Sequence, residues 1–338
     1  MNKILLIRFS SIGDIVLTTP VVRVLKTKLD CELHVLTKEK FAFLYEHNPY
    51  VDQVHTIQKG VDEVLQDLKS IDFDFIVDLQ KNLRSSRIKN TLDAPSASFP
   101  KLNRQKWMLV NLKINRLPEV HVVDRYFMAV RDLELVNDGK GLDYFIPEDA
   151  EIEPATVDPV LKDGYIAIAI GGQHTTKILP VEKLVPVIDN LQLPVVLLGD
   201  QQDDVRGKEV VERVQRKDVF NLCGQYTLDQ SASLIRQSAV VISNDTGLMH
   251  IAAAFKKPVV SVWGNTVPAF GMYPYMPGYP ELSVIAEVKD LSCRPCSKLG
   301  YKKCPVRHFK CMRKQDEMFI AESANGLAEN YLRENLSR

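Results

Sequence analysis

The sequence predicts an α/β chain of two domains, each a doubly wound parallel sheet. Three observations predict it: short apolar runs alternate with helical patterns from the first residues, the alternation lapses once and restarts, and the chain is long enough for two cores. Of 338 residues, 45% are hydrophobic and 25% charged, a globular composition with room for two domains of ordinary size. Lys plus Arg and Asp plus Glu both total 43. No whole-molecule field marks a nucleic-acid binder or a bulk membrane binder, so any charge argument is local.

In chain order, the apolar runs 3–9, 32–37 and 75–79 predict strands covered on both faces, where the apolar character is continuous rather than alternating. Between the first two, Leu17, Val21, Val24, Leu25 and Leu29 recur at three- and four-residue spacing, one apolar stripe of a helix laid on the sheet. Strand, helix and strand make one βαβ unit. The alternation lapses over 149–159, rich in acids and carrying Pro154 and Pro159, which sets the domain boundary between 156 and 157. The cycle restarts with strands at 165–170, 194–198, 219–222, 239–243 and 258–263, giving a second doubly wound domain over 157–338. A last helical pattern over 316–334 fits against either domain. Only Ile4 to Ile7 are apolar before Arg8, too short a run for a secretory segment, and no later stretch approaches a membrane span. A cytoplasmic location is expected.

Three strand-to-helix turns carry candidate chemistry, since ligands of open α/β sheets bind at the carboxyl ends of strands. The first is Arg8-Phe9-Ser10-Ser11-Ile12-Gly13-Asp14. Gly13 permits close backbone approach, the helix N-terminus offers free N–H groups, and Asp14 either accepts a proton from an incoming hydroxyl or caps the helix. The turn lacks G-x-G-x-x-G, which disfavours a dinucleotide oxidoreductase. The second is Ser243-Asn244-Asp245-Thr246-Gly247-Leu248-Met249-His250, where Thr246 and Gly247 can aim N–H groups and a hydroxyl at a diphosphate while Asp245 orients sugar hydroxyls or holds the loop. His250 falls inside the following helix, a position suited to packing. The third, Gly171-Gly172-Gln173-His174-Thr175-Thr176-Lys177, joins backbone amides to one cation and suits a phosphate oxygen, without the Walker spacing.

These turns, in this order, resemble glycosyltransferase family 9, the ADP-heptose:lipopolysaccharide heptosyltransferases, over nearly the whole chain. The matches are Ile7 to Asp14 with Thr18-Thr19-Pro20, and Ser243 to His250 continuing through Ala252-Ala253-Ala254, Pro258-Val259-Val260 and Trp263-Gly264. The resemblance implies a GT-B fold, two Rossmann-like domains facing across a cleft, and inverting, metal-independent transfer from an ADP-sugar. It implies Asp14 as general base, and Asp245, Thr246, Gly247, Leu248 and His250 with Gly172, Gln173 and Lys177 on the donor. Asp203 matches a ribose-binding acid and Tyr226 a side chain packed on adenine. The chain departs from the family at Leu179, where tryptophan is common, and at Asn265, where proline is frequent. Both fall on the donor side, so another nucleotide-sugar, a nucleotide-sugar epimerase or a non-catalytic nucleotide-sugar-binding module stand as alternatives.

Between Lys81 and Arg116 nine cations, Lys81, Arg84, Arg87, Lys89, Lys101, Arg104, Lys106, Lys113 and Arg116, face the single acid Asp93. Trp107, Met108, Leu109, Val110, Leu112, Ile114 and Leu117 interleave with the later ones. Such a surface suits an anionic lipid-linked sugar acceptor and peripheral contact with the inner face of the inner membrane; the bland alternative is a solvated helix face. Ser10, Ser11 and Gly13 with Lys81, Arg84 and Arg104 are expected on the acceptor. Finally, Cys293-x2-Cys296-x7-Cys304-x6-Cys311 gathers four of six cysteines, a spacing that suggests structural zinc as readily as free or disulfide-paired thiols. Cys31 and Cys223 read as inert core thiols.

Overall fold

The structure, a computed structural model, describes residues 2–336. It divides into two compact units. The first runs through Leu102 and adds Val120–Phe145; the second takes Asn103–Glu119 and everything from Ile146 onward.

The first unit holds β1 (Lys3–Ile7), β2 (Glu32–Lys38), β3 (Gln53–Ile57), β4 (Phe75–Asp78) and β5 (Ser96–Ser98), all parallel, in the order β3-β2-β1-β4-β5. The second holds β6 (Ile166–Ala169), β7 (Val195–Leu198), β8 (Val219–Asn221), β9 (Val240–Asn244), β10 (Val259–Trp263) and β11 (Ser283–Glu287), parallel in the order β11-β10-β9-β6-β7-β8. Both orders are doubly wound, and each reverses once, between β1 and β4 and between β6 and β9. Those two reversals open the crevices where such sheets bind ligands.

All eight predicted strands form. β3, β5 and β11 are the additions, and each lies at a sheet edge. Their sequences, QVHTI, SAS and SVIAE, are half-exposed. An edge strand is covered less completely than a central one, so it needs no continuous apolar run and leaves no such signal. The central strands β4, β6, β7, β9 and β10 are buried along their whole length.

In the first unit the helices are α1 (Ile12–Val16), α2 (Thr19–Leu29), α3 (Phe43–Glu46), α4 (Leu65–Ile71) and α5 (Leu83–Leu92). The stripe predicted as one helix is broken at Thr18, the N-cap of α2, with Pro20 in the first turn, a position where proline's missing N–H costs nothing. Helices α2, α4 and α5 each end on an aspartate in the left-handed region, Asp30, Asp72 and Asp93, at φ 44°, 57° and 52°, a conformation Asp and Asn tolerate better than most side chains. After α6 (Asn103–Leu112), which packs with the second unit, α7 (Val122–Phe127) returns to the first. That return is latched by the buried Arg23 of α2, paired with Asp138 and Asp143.

In the second unit follow α8 (Pro154–Val157), α9 (Val181–Asp189), α10 (Asp204–Arg213), α11 (Leu228–Gln237), α12 (Gly247–Ala254), α13 (Lys310–Arg313) and α14 (Glu317–Leu336). The predicted C-terminal helix, unplaced by sequence, belongs here: Ile320, Ala321, Ala324 and Ala328 are buried in the core of β6, β7, β9 and β10, and Lys183 pairs with Glu317 at 2.6 Å. Cys31 and Cys223 are buried, as expected. Burial raises both thiols, Cys223 to about 12. Among the described residues no helix is long and apolar enough to cross a membrane.

Candidate active site

The turn after β1 is built around a buried guanidinium. Arg8 donates through Nη1 to Leu79 O (2.6 Å) and Tyr126 OH (3.2 Å) and through Nε to Ser10 O (3.0 Å), while Nη2 pairs with Asp14 Oδ1 at 2.7 Å. Burial alone would pull Arg8 down; the Asp14 carboxylate, with Tyr126 and Tyr45, more than offsets it, and the net shift is upward. Ser11, not Asp14, is the N-cap of α1. Asp14 stands in the first helical turn, where Oδ2 accepts from Ser11 N (3.2 Å) and Ser11 Oγ (2.9 Å). Its carboxylate is therefore oriented by Arg8 and Ser11, with a quarter of the side chain exposed.

Beside it, β4 ends on Asp78, fully buried, which accepts from Gln80 N (3.0 Å), Lys81 N (2.6 Å) and Ser85 Oγ (2.9 Å) and pairs with Lys89 at 3.1 Å. Gln80 Oε1 in turn accepts from Phe9 N at 2.9 Å, so the turns flanking the β1–β4 reversal are held to one another. Of the expected acceptor residues, Ser10, Ser11, Gly13, Lys81 and Arg84 lie on this unit. Lys81 Nζ already donates to Phe99 O at 3.0 Å. Arg84 is exposed in the first turn of α5 beside Leu83, itself 90% exposed. Arg104 is exposed on α6 and belongs with the second unit. Lys101, another cation of the basic stretch, is held below the usual lysine range by burial and then Arg8, with Asp78 and Asp14 pulling the other way. Nothing in its local sequence distinguishes it from its basic neighbours.

The second and third turns meet at the β6–β9 reversal. Lys177 Nζ pairs with Asp245 Oδ2 at 2.6 Å, and Thr266 Oγ1 donates to the same oxygen at 2.8 Å. Asn244, buried at the end of β9, stitches the turns together: its Nδ2 donates to Gly171 O at 3.1 Å and its Oδ1 accepts from Leu179 N at 3.1 Å. Thr246 is the N-cap of α12, and its hydroxyl lies 3.3 Å from Ser243 Oγ. Gly247 and Leu248 follow, partly exposed at the helix start, whereas His250 is buried within the helix. Gly172 is half-buried and Gln173 exposed on the loop before Lys177.

Asp203, the N-cap of α10, pairs with Arg206 at 2.9 Å and accepts from Asp200 N at 3.2 Å. Burial and then Asp200 push its carboxyl above the usual range, against Arg206. It fills the space in front of Gly171, where a Cβ would overlap its carboxylate, so glycine there is required by close approach. Tyr226 is half-buried just before Thr227, the N-cap of α11.

All six cysteines are free thiols, and among the described residues no group of three or more His, Cys, Asp or Glu side chains is arranged to hold a metal ion. A zinc site needs thiolates converging on one point at about 2.3 Å. Here burial, followed by the other thiols of the cluster, pushes Cys296 up and Cys311 up to about 12, while Cys293 Sγ lies 3.8 Å from His308 Nε2. The four thiols of the cysteine-rich segment therefore lie near enough to act on one another.

Two parallel sheets of this order, with a carboxylate turn on the first and a lysine, an acid and a helix N-terminus together on the second, are the architecture of GT-B type glycosyltransferases. The chain belongs to glycosyltransferase family 9 (heptosyltransferase), whose family model matches residues 61–303. It is similar to lipopolysaccharide heptosyltransferase 1 of Campylobacter coli, 23% identical over 292 residues, which are 78% of this chain and 84% of that protein. In fold it is similar to the family 9 glycosyl transferase of Veillonella parvula (TM-score 0.75, 22% identity, covering 97% of this chain and 98% of that one) and to ADP-heptose lps heptosyltransferase II of E. coli (TM-score 0.71, 19% identity, covering 97% and 99%).

Proposed function

We propose that the enzyme transfers heptose from ADP-heptose, with inversion, to a hydroxyl of the lipopolysaccharide inner core, a Kdo- or heptose-bearing lipid A. The observation that carries this reading is the Lys177–Asp245 pair at the start of α12, 2.6 Å apart. When the donor binds, its diphosphate replaces the Asp245 carboxylate on Lys177, and the freed Asp245 takes sugar hydroxyls. The N–H groups of Thr246, Gly247 and Leu248, with Gly172 and Gln173 on the facing loop, complete the diphosphate cradle. Asp203 takes the ribose hydroxyls and Tyr226 packs on the adenine.

Asp14 accepts the proton of the acceptor hydroxyl as its oxygen attacks the anomeric carbon. The bond from that carbon to the diphosphate oxygen breaks, and its electron pair leaves with ADP. The positive charge that stabilises the leaving group comes from Lys177 and the α12 N-terminus, so the reading needs no metal in the chemical step. His250 supports α12 by packing. Ser10, Ser11 and Gly13 shape the acceptor side, where Lys81, Arg84 and Arg104 meet the anionic core sugars, and the exposed part of the basic stretch rests on the anionic inner leaflet from the cytoplasmic side.

The test is Asp14→Asn. A general base is worth about 10² to 10⁴ in rate, so transfer is expected to fall at least about a hundredfold while ADP binding, measured by calorimetry, stays at the wild-type value. Near wild-type turnover in that variant would remove Asp14 from the mechanism.

A further inference from the structure

We propose that Arg294 is a positioning residue for the donor site, acting through the turn Gly264-Asn265-Thr266 on the Lys177–Asp245 pair; this rests on the donor reading above. All three carbonyls of that turn are held by the segment 294–296. Arg294 Nε donates to Gly264 O at 2.6 Å, Cys296 N to Asn265 O at 3.3 Å, and Arg294 Nη2 to Thr266 O at 2.9 Å. The guanidinium is itself fixed by Val288 O (3.0 Å) and Glu287 (2.7 Å), with a side chain only 6% exposed. From the turn, Thr266 Oγ1 reaches Asp245 Oδ2 at 2.8 Å, the oxygen that pairs with Lys177.

The lysine side of the pair is tied to the same segment. Thr176 N donates to Tyr301 O (3.1 Å), Tyr301 N donates to Thr176 Oγ1 (2.8 Å), and that hydroxyl donates to Asn265 Oδ1 (3.1 Å). Gly264 has no room for a side chain: a Cβ would meet Thr176 O at 2.6 Å and Met312 at 2.7 Å. The segment 294–301 thus holds Thr176, which precedes Lys177, and the turn whose Thr266 hydroxyl reaches the Asp245 carboxylate. A guanidinium serves here because one planar group spans three carbonyls and a carboxylate at once, which an ammonium cannot do in the same geometry. In this chain the cysteine-rich segment acts on the donor site through its arginine and its backbone.

The probe is ADP, titrated calorimetrically into wild type, Arg294→Met, Arg294→Lys, Lys177→Met and the double variant Arg294→Met/Lys177→Met. Expected are an ADP affinity on the order of tenfold weaker in Arg294→Met, partial recovery in Arg294→Lys, and no further loss when Arg294→Met is added to Lys177→Met. A general loss of structure would lower the fraction of binding-competent protein and leave the affinity of that fraction unchanged. If Arg294→Met does not fold, Thr266→Val, which deletes only the hydroxyl on Asp245, is expected to weaken ADP several-fold by the same route. Wild-type affinity in Arg294→Met, full additivity in the double variant, or an unchanged Thr266→Val would each overturn the inference. Wild type that binds no ADP would instead overturn the donor reading.

Discussion

Asp14 is both a capping acid and the candidate base, and the two roles share one geometry. The contacts from Ser11 and Arg8 that close the first turn of α1 also orient the carboxylate. The sequence shows the turn and its acid. It does not show Arg8 as the hub, because Leu79 and Tyr126, which hold that guanidinium, lie 71 and 118 residues away. Asn244 is likewise visible as a letter in the second turn, but its stitch to Gly171 and Leu179 exists only once β6 and β9 are neighbours. A second pairing beyond the reach of sequence is that of His34 on β2 and His55 on β3, Nδ1 to Nε2 at 2.8 Å with rings stacked. Glu32 faces His34 Nε2 at 3.1 Å, Phe73 packs edge-on, Lys3 and Asp52 act on His34, and Asp67 acts on His55. Burial lowers both histidines below 6.5, helped in His55 by His34 and opposed in His34 by Glu32. The unfolded chain therefore binds more protons than the folded one below about pH 6.5, so the stability at stake is complete above that value and declines as pH falls through it. Unfolding midpoints compared at about pH 7.5 and 5.5 should fall in wild type and fall less in His55→Gln; equal declines in both would show that the pair does not carry the effect.

At the scale of elements, sequence legibility followed burial. Strands in the middle of each sheet announce themselves as continuous apolar runs, while β3, β5 and β11 at the edges do not. The cysteine-rich segment was legible for its thiols and not for its backbone, because the hydrogen bonds of Arg294 and Tyr301 have no spacing signature. The basic stretch divides in a way no pattern shows. Lys113 donates to Cys293 O (3.2 Å) and Pro295 O (2.7 Å), and Lys106 lies over the Phe270 ring, so these two are committed to the second unit. Trp107, Leu112 and Ile114 remain 44 to 54% exposed among the exposed Arg104 and Arg116, an apolar and basic stretch of the kind that enters a headgroup layer. The protein is expected to sediment with vesicles containing anionic lipid and not with neutral ones, to be released as salt rises, and to lose most of that binding in Arg104→Glu/Arg116→Glu. Equal sedimentation with neutral and anionic vesicles would contradict the assignment of this stretch to a membrane.

For the whole molecule, two parallel sheets that each reverse strand order once carry the Asp14 turn at one reversal and the Lys177–Asp245 pair at the other, one in each unit. The sheet-forming pattern and the three turns were readable because a parallel sheet forces its ligand loops to the carboxyl ends of buried strands. The excursion of 103–119 into the second unit was not, since it depends on which surface α6 finds. The central claim is heptosyl transfer by these turns, and its most direct test is ADP release from ADP-heptose in the presence of a Kdo-bearing lipid A, followed with and without EDTA. Acceptor-dependent release that survives EDTA is the predicted result. No acceptor-dependent release would contradict the transfer itself, and release abolished by EDTA would contradict Lys177 and the α12 N-terminus as the source of the positive charge on the leaving diphosphate.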